Sequence, residues 1–383
     1  MSAPVIIIGS GLAAYNLARE FRKLDKTSAL MLVSRDHAGF YSKPMLSNAL
    51  SANKSAEQLI MKTADKMAEE LNATILPHTT VVSIDVEHQE VVLGDDTILP
   101  YRDLVLALGA DPIRLPLNGQ AAAAVLSVND LDDFTQFNRQ LDGARRVAIL
   151  GAGLIGCEFA NDLLARDITP IVIDPATWPL SRLLPPEAGA YLAQKLSDAG
   201  VQFHWGVTAH SVETVDAGLQ VTLSDQSSLV VDLVLSAVGL RARTELAAAA
   251  GLSVNRGVVV NQYLQTSQPH VYAVGDCAEV LGLNLPFVFP IMQQARALAA
   301  TLAGTETSVK YPAMPVMVKT PACPTVVAPP ALGAVGEWHV EPSETGMLAK
   351  FSAADGRLLG FALLGSATAQ RQALTPDLPV VLA

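Results

Sequence analysis

Only three cysteines occur in 383 residues, Cys157, Cys277 and Cys323, and no two of them form a CxxC pair. That excludes a disulfide framework and a cysteine-built zinc site, and it fits a reducing compartment. A basic surplus is missing too. Lys and Arg number 26 against 37 Asp and Glu, a formal net charge of −11, which argues against general attraction to nucleic acid or to an anionic membrane. Charged residues make up only 16% of the chain while half is hydrophobic, a composition of packed globular proteins and not of disordered ones. No apolar run approaches the roughly 18 residues of a membrane helix. The opening MSAPVIIIGSG has neither the basic flank nor the apolar length of a secretion signal. The reading is a cytoplasmic protein without membrane insertion, long enough for about two or three domains.

What the chain does contain is one pattern written twice. VIIIGSGLAAYNLAREF is followed later by YRDLVLALGADPIR, and VAILGAGLIGCEFANDLL is followed later by VVDLVLSAVGLRAR. Each copy has an apolar strand, a glycine-rich turn, an amphipathic helix and a further buried strand, DLVL, that runs on to a glycine. The pattern predicts two nucleotide-binding βαβ folds. In the first, Gly9, Gly11 and Ala14 make G-x-G-x-x-A; in the second, Gly151, Gly153 and Gly156 make G-x-G-x-x-G. Glycine is needed in such turns because a Cβ would obstruct the tight backbone and the approach of a pyrophosphate to the free N–H groups of the helix N-terminus. One such motif is weak evidence; two, each between a strand and a helix, are specific.

Asp174 lies 18 residues beyond Gly156, at the end of the strand in TPIVIDP, where a carboxylate meets the ribose hydroxyls of NAD. The following DPATWPL holds no arginine for a 2′-phosphate, which favours NADH over NADPH. The plainer alternative is that Asp174 caps the next turn. The first copy differs: LMLVSRD ends in Ser34, Arg35 and Asp36 with no glutamate at the strand end, so the adenosine end of the first nucleotide is expected to be held in another way. VYAVGD, with Gly275 and Asp276, comes only after the second fold has closed. It reads as the last strand of the first fold, which makes the second fold an insertion. Beyond about residue 310 the composition turns to proline and β-branched residues, and GMLAKFSAADGRLLGFALLG reads as a hairpin turning at Asp355-Gly356.

Taken together, the order of motifs resembles the two-dinucleotide-fold flavoprotein reductases. YSKPMLS, GAGLIGCEFANDL, SAVGLRARTELA, GDCAEV and MPVMVKTPACP are most similar to the rubredoxin-NAD(+) reductases, and the likeness covers essentially the whole chain. The resemblance implies an α/β architecture of two Rossmann-like dinucleotide-binding domains, the NAD fold inserted in the FAD fold, plus a small β-rich C-terminal domain. The expected division is 1–112 with 250–310 for FAD, 113–249 for NAD and 311–383 for the C-terminal domain. FAD and NADH are implied as cofactors, and rubredoxin, a small iron electron-transfer protein, as the partner of a monomer or homodimer. Electrons leaving through rubredoxin would supply alkane hydroxylation or oxygen detoxification. FAD contacts are implied at Ser10, Gly11, Leu12, Ala13, Ser34, Arg35, Lys43, Val81, Glu158, Asp276, Val288 and Lys319. Val81 and Val288 equally suit packing roles.

Lys43 in SKP and Lys319 in VKTPAC have apolar, proline-bounded surroundings, where a lysine has little reason to be without a partner. A flavin that takes up hydride gains negative charge, so fixed positive charge beside its ring favours the reduced form. Lys43 and Lys319 are the candidates to supply that charge, Lys43 foremost, with Glu158, two residues past Gly156, as the counter-ion of Lys43 and fellow catalytic residue. The plainer alternatives are a solvated lysine and a glutamate that only complements the helix dipole. Asp162, one helical turn further on, is expected to be solvated. Cys157 and Cys277 suit packing positions, and no cysteine precedes Cys157, so the reactive thiol of a disulfide-type flavoenzyme is missing. Two other functions share these motifs: an NADH-ferredoxin reductase of an oxygenase system, and a flavin-bound redox-sensing protein whose turnover is incidental.

Overall fold

The strand Val5–Ile8 is buried at every position, the mark of a parallel strand covered on both faces. In a computed structural model, which describes residues 3–383, it is the centre of a five-stranded parallel sheet. The order across that sheet is Val271–Ala273, Asp103–Leu106, Val5–Ile8, Leu30–Val33, Thr74–Leu76. The helix Leu12–Leu24 turns Tyr15, Leu17 and Phe21 inward and packs along the helix Val288–Leu302.

A second parallel sheet, four-stranded, has the order Gln202–Trp205, Thr169–Asp174, Arg146–Leu150, Leu233–Ser236. Strands of the first sheet lie on both sides of this stretch in the chain, so the second fold is inserted in the first. The internal repeat also runs further than the glycine motifs show. Before its DLVL strand each fold carries a three-stranded antiparallel meander, Val81–Asp85 to Ile98–Pro100 in one and Ala209–Val215 to Ser228–Val231 in the other.

Where the chain leaves the first fold and where it returns, the strands Ala110–Pro112 and Leu240–Ala242 pair antiparallel. Arg243 braces this neck: Nη2 donates to Asp111 Oδ1 at 2.5 Å and Nη1 to the Leu108 carbonyl at 2.8 Å. The C-terminal part is a five-stranded antiparallel sheet in the order Val316–Val318, Thr325–Ala328, Leu358–Gly365, Gly346–Ser352, Glu337–Pro342. Its hairpin turns at Asp355-Gly356, where Gly356 has φ +83°, a left-handed conformation that glycine adopts without cost. One apolar core joins Leu46 and Leu50 of the first fold, Phe159 and Leu192 of the second, and Val327 and Leu364 of the C-terminal sheet. Among the described residues no helix is long and apolar enough to cross a membrane.

Candidate active site

The carboxyl ends of both parallel sheets open into one cleft of about 2450 Å³, the place where such sheets bind nucleotides. Gly9 and Gly151 hold the two turns at φ +124° and +104°. A Cβ on Gly9 would lie 2.3 Å from the Ala107 carbonyl oxygen, and one on Gly151 would lie 2.8 Å from that of Ala237. At Gly11 and Gly153 the space a Cβ would take is open, with no heavy atom within 4 Å, and both line the cleft. This is the shape a pyrophosphate needs to reach the helix N-terminus, so the turns fit two dinucleotides.

Ala14 and Gly156, expected among the ligand contacts, do not line the cleft. Ala14 is fully buried, and a Cβ on Gly156 would sit 2.0 Å from the Gly151 carbonyl oxygen. They lie behind the turns, where small size lets helix and strand approach. The other expected residues do line the cleft. Ser10, Leu12, Ala13, Ser34 and Arg35 form the wall nearest the first turn. Val81 also belongs to the buried core, and Val288, the first residue of its helix, is exposed at the rim. Asp276 stands just beyond the strand Val271–Ala273, half-buried. Asp174 accepts hydrogen bonds from the backbone N–H of Ala152 at 2.6 Å and of Ala176 at 2.8 Å. It therefore braces the turn and faces the cleft at once.

The charges are arranged differently from the expectation. Glu158, 4% exposed, pairs with Lys319 and not with Lys43: Lys319 Nζ lies 2.7 Å from Glu158 Oε2, and the Lys319 backbone N–H donates to Oε1 at 3.0 Å. Buried Ser47 completes the group, its hydroxyl donating to Glu158 at 2.5 Å and accepting from Lys319 Nζ at 2.8 Å. A carboxylate so satisfied has no need of a second lysine. Lys43 begins the short 3₁₀ helix Lys43–Asn48 and is half-buried in the cleft. No carboxylate lies within 4.0 Å of its ammonium among the described residues. Burial pulls its pKa below the usual 10.5, opposed chiefly by the charge of Asp276. Asp276 is shifted upward, by burial.

Asp162 is not solvated. It is 2% exposed, and its carboxylate accepts the backbone N–H groups of Leu50 and Ser51, both at 2.9 Å. Burial raises its pKa. The helix Leu154–Leu163 thus holds the Lys43 segment through Glu158 and Asp162, and through Asn161 it accepts the backbone N–H of Ala322 at 2.9 Å. The sequence carried a sign of this: Asp162 is four residues from Glu158 and so shares its helix face. Cys157, Cys277 and Cys323 are all buried and unpaired. Burial pushes each thiol upward, that of Cys277 to about 11, the opposite of what a reactive cysteine needs.

Residues 3–301 match the family described as pyridine nucleotide-disulphide oxidoreductase. The chain belongs to that family. Its members use FAD and NAD(H), in agreement with the paired glycine turns. Residues 308–378 match the rubredoxin binding C-terminal domain. Among full-length relatives, the rubredoxin-NAD(+) reductase of Alcanivorax borkumensis is 48% identical, covering 99% of both chains. That of Acinetobacter baylyi is 47% identical, covering 98% of both. A ferredoxin reductase from Rhodopseudomonas palustris superposes with a TM-score of 0.89 at 28% identity, over all of this chain and 96% of its own. Like other members of the family, the chain is an oxidoreductase with a flavoprotein architecture.

Proposed function

We propose that this member of the family is an NADH-dependent flavoprotein reductase that passes electrons through FAD to rubredoxin, supplying an alkane-hydroxylating or oxygen-detoxifying system in the cytoplasm. The observation that carries the reading is the two open glycine turns facing one cleft whose middle holds Lys43, Lys319 and Glu158 and no thiol. Bound FAD would take two electrons from NADH and release them singly. In this reading FAD belongs to 1–112 with 250–310, NADH to 113–249 and the acceptor face to 311–383, a division supported by the two separate parallel sheets and the distinct C-terminal sheet.

The chain's own groups then have definite tasks. The turns Gly9–Gly11 and Gly151–Gly153 leave room for two pyrophosphates. Asp174 presents a carboxylate where a 2′-phosphate would be repelled, which supports NADH as the donor. Lys43 sets into the cleft an ammonium with no carboxylate at ion-pair distance, so negative charge arriving there is stabilised more than neutral reactants are. Glu158 and Lys319 hold each other, and through Ser47 and Pro44, to which Lys319 also donates, they fix the helix that carries Lys43.

Purified yellow protein given NADH and either rubredoxin or a [2Fe-2S] ferredoxin tests the reading. Rubredoxin should be reduced the faster. Faster ferredoxin reduction would move the chain to the ferredoxin reductases, and turnover below about one per minute with both would favour a redox sensor.

A further inference from the structure

Among the buried residues of the helix Val288–Leu302, Gln294 alone carries a polar side chain. It is 2% exposed. Burying an amide is costly unless its polar atoms find partners, and a leucine would serve helix packing without that cost. The amide is bonded at both ends. The backbone N–H of Gly275 donates to Oε1 at 2.6 Å, and Nε2 donates to the Tyr311 hydroxyl at 2.8 Å. A backbone N–H can only donate, so Gly275 fixes which way round the amide stands.

Tyr311, also buried, is held in turn. Its backbone N–H donates to the Leu382 carbonyl at 2.9 Å, and its carbonyl accepts the N–H of Val381 at 2.8 Å and of Leu382 at 3.0 Å. Gln294 therefore links a fixed point outside the first sheet to one peptide of that sheet's last turn.

That peptide presents Asp276 to the cleft. On its other side Asn284 Nδ2 donates to the Asp276 carbonyl at 3.0 Å. Side-chain amides thus grip Gly275-Asp276 at both ends, Gln294 at the N–H and Asn284 at the C=O. Among the described residues the Asp276 carboxylate itself has no hydrogen-bond partner, and the charges acting on it are those of Lys43 and Arg243. The backbone grip alone places this carboxylate. Of the charges around Lys43, that of Asp276 acts on it most strongly, so the placement decides how far Lys43 is balanced.

We propose that Gln294 is a positioning residue for electron transfer, which through the Gly275 N–H fixes the Asp276 carboxylate relative to Lys43 and thereby the charge that a bound flavin meets. The proposal rests on the flavin reading above. With Asp276 held in place, part of the positive charge of Lys43 is offset and a flavin that becomes negative is favoured less; with Asp276 released or neutral, it is favoured more. Tyr311 is the outer link of the same line and has the weaker hold.

The test is a double-variant cycle on the full chain, read as the reduction potential of bound flavin, with FAD affinity and Tm measured alongside. Asp276→Asn should raise the potential. Gln294→Leu should raise it by a smaller step, and should weaken FAD binding roughly 10-fold because a buried N–H loses its acceptor. In the Asp276→Asn background Gln294→Leu should move the potential no further. Tyr311→Phe keeps the bond to Gly275 and should give the same pattern in smaller steps, and it carries the test if Gln294→Leu does not fold. A Gln294→Leu chain, or in its place a Tyr311→Phe chain, that keeps the unaltered potential overturns the inference, even if its Tm falls, since support of the fold alone leaves the flavin unchanged. An unmoved potential in Asp276→Asn overturns it too, as do equal steps in both backgrounds, which would place the action of Gln294 elsewhere. An unaltered chain that binds no FAD overturns the flavin reading itself and the inference with it.

Discussion

Lys319 and Lys43 bring the same ammonium group to one cleft and meet opposite surroundings. Lys319 lies 2.7 Å from Glu158 and touches Ser47 and Pro44; its charge is spent on joining the C-terminal sheet to both nucleotide folds. Lys43 has no carboxylate within ion-pair distance among the described residues, and burial works against its charge. A charge already neutralised by a neighbour holds a structure together but responds little to what binds. A charge left without a partner destabilises the empty site and is available to a ligand that becomes negative. The difference teaches that position in the cleft does not by itself tell which lysine is free to respond to a ligand's charge.

Lys319→Met should break the comparison most visibly. It leaves the buried Glu158 carboxylate without its cation, and the cost should be about 2–3 kcal/mol, at or below the low end for a broken buried pair because Lys319 is partly exposed. Thermal unfolding should show a clear drop in Tm, with a smaller drop for the double variant Lys319→Met, Glu158→Gln.

Lys43→Met should do the reverse. With no ion pair lost, the fold should be as stable as before or more so, while bleaching of the flavin by NADH slows about 100-fold, the low end of the range seen when one preorganised electrostatic group is removed. Stopped-flow absorbance measures the rate and flavin content shows that FAD stays bound. An unchanged rate would make Lys43 a wall of the site. Stability should also depend on pH in a definite sense. Because the folded pKa of Lys43 lies below 10.5, the folded state binds that proton less well than the unfolded chain does. Its contribution is full above 10.5 and is lost as pH falls through the folded value. The gain of Lys43→Met over the unaltered chain should therefore be present near neutral pH and shrink as pH rises toward 10.5.

The smallest effect is expected from Asp162→Asn, which keeps one acceptor for the N–H groups of Leu50 and Ser51 and loses the charge. A cost of about 1 kcal/mol is expected, read as a small fall in Tm together with a modest slowing of NADH bleaching through the Lys43 helix.

Legibility from sequence followed the range of the interaction. Strand, glycine turn and helix are neighbours in the chain, so Gly9, Gly11, Gly151 and Gly153 were readable, as was the return of VYAVGD to the first sheet. Glu158 was readable as a cleft residue because it lies two residues past Gly156, near the start of its helix. Its partner was not, since Lys43 and Lys319 are both lysines beside proline and the choice between them depends on how a C-terminal sheet docks 161 residues away. Asp162 departs from the expectation because an acid on a helix is usually solvated, and the two backbone N–H groups that bond it come from a different fold. Ala14 and Gly156 belong to the motifs but lie one layer behind the turns that face the cleft.

The paired strands Ala110–Pro112 and Leu240–Ala242 bear on how such a chain assembles. The first sheet needs Val271–Ala273 beside Asp103–Leu106, and every residue of the inserted fold lies between them in the chain. Bringing distant segments together costs entropy that grows with the length of the loop. Once the inserted fold has formed and its two ends are zipped at the neck, with Arg243 bound to Asp111, that long stretch counts as a short one. The outer sheet then closes across a hairpin-like gap, and a fold interrupted in the chain becomes nearly continuous in the search for its native contacts.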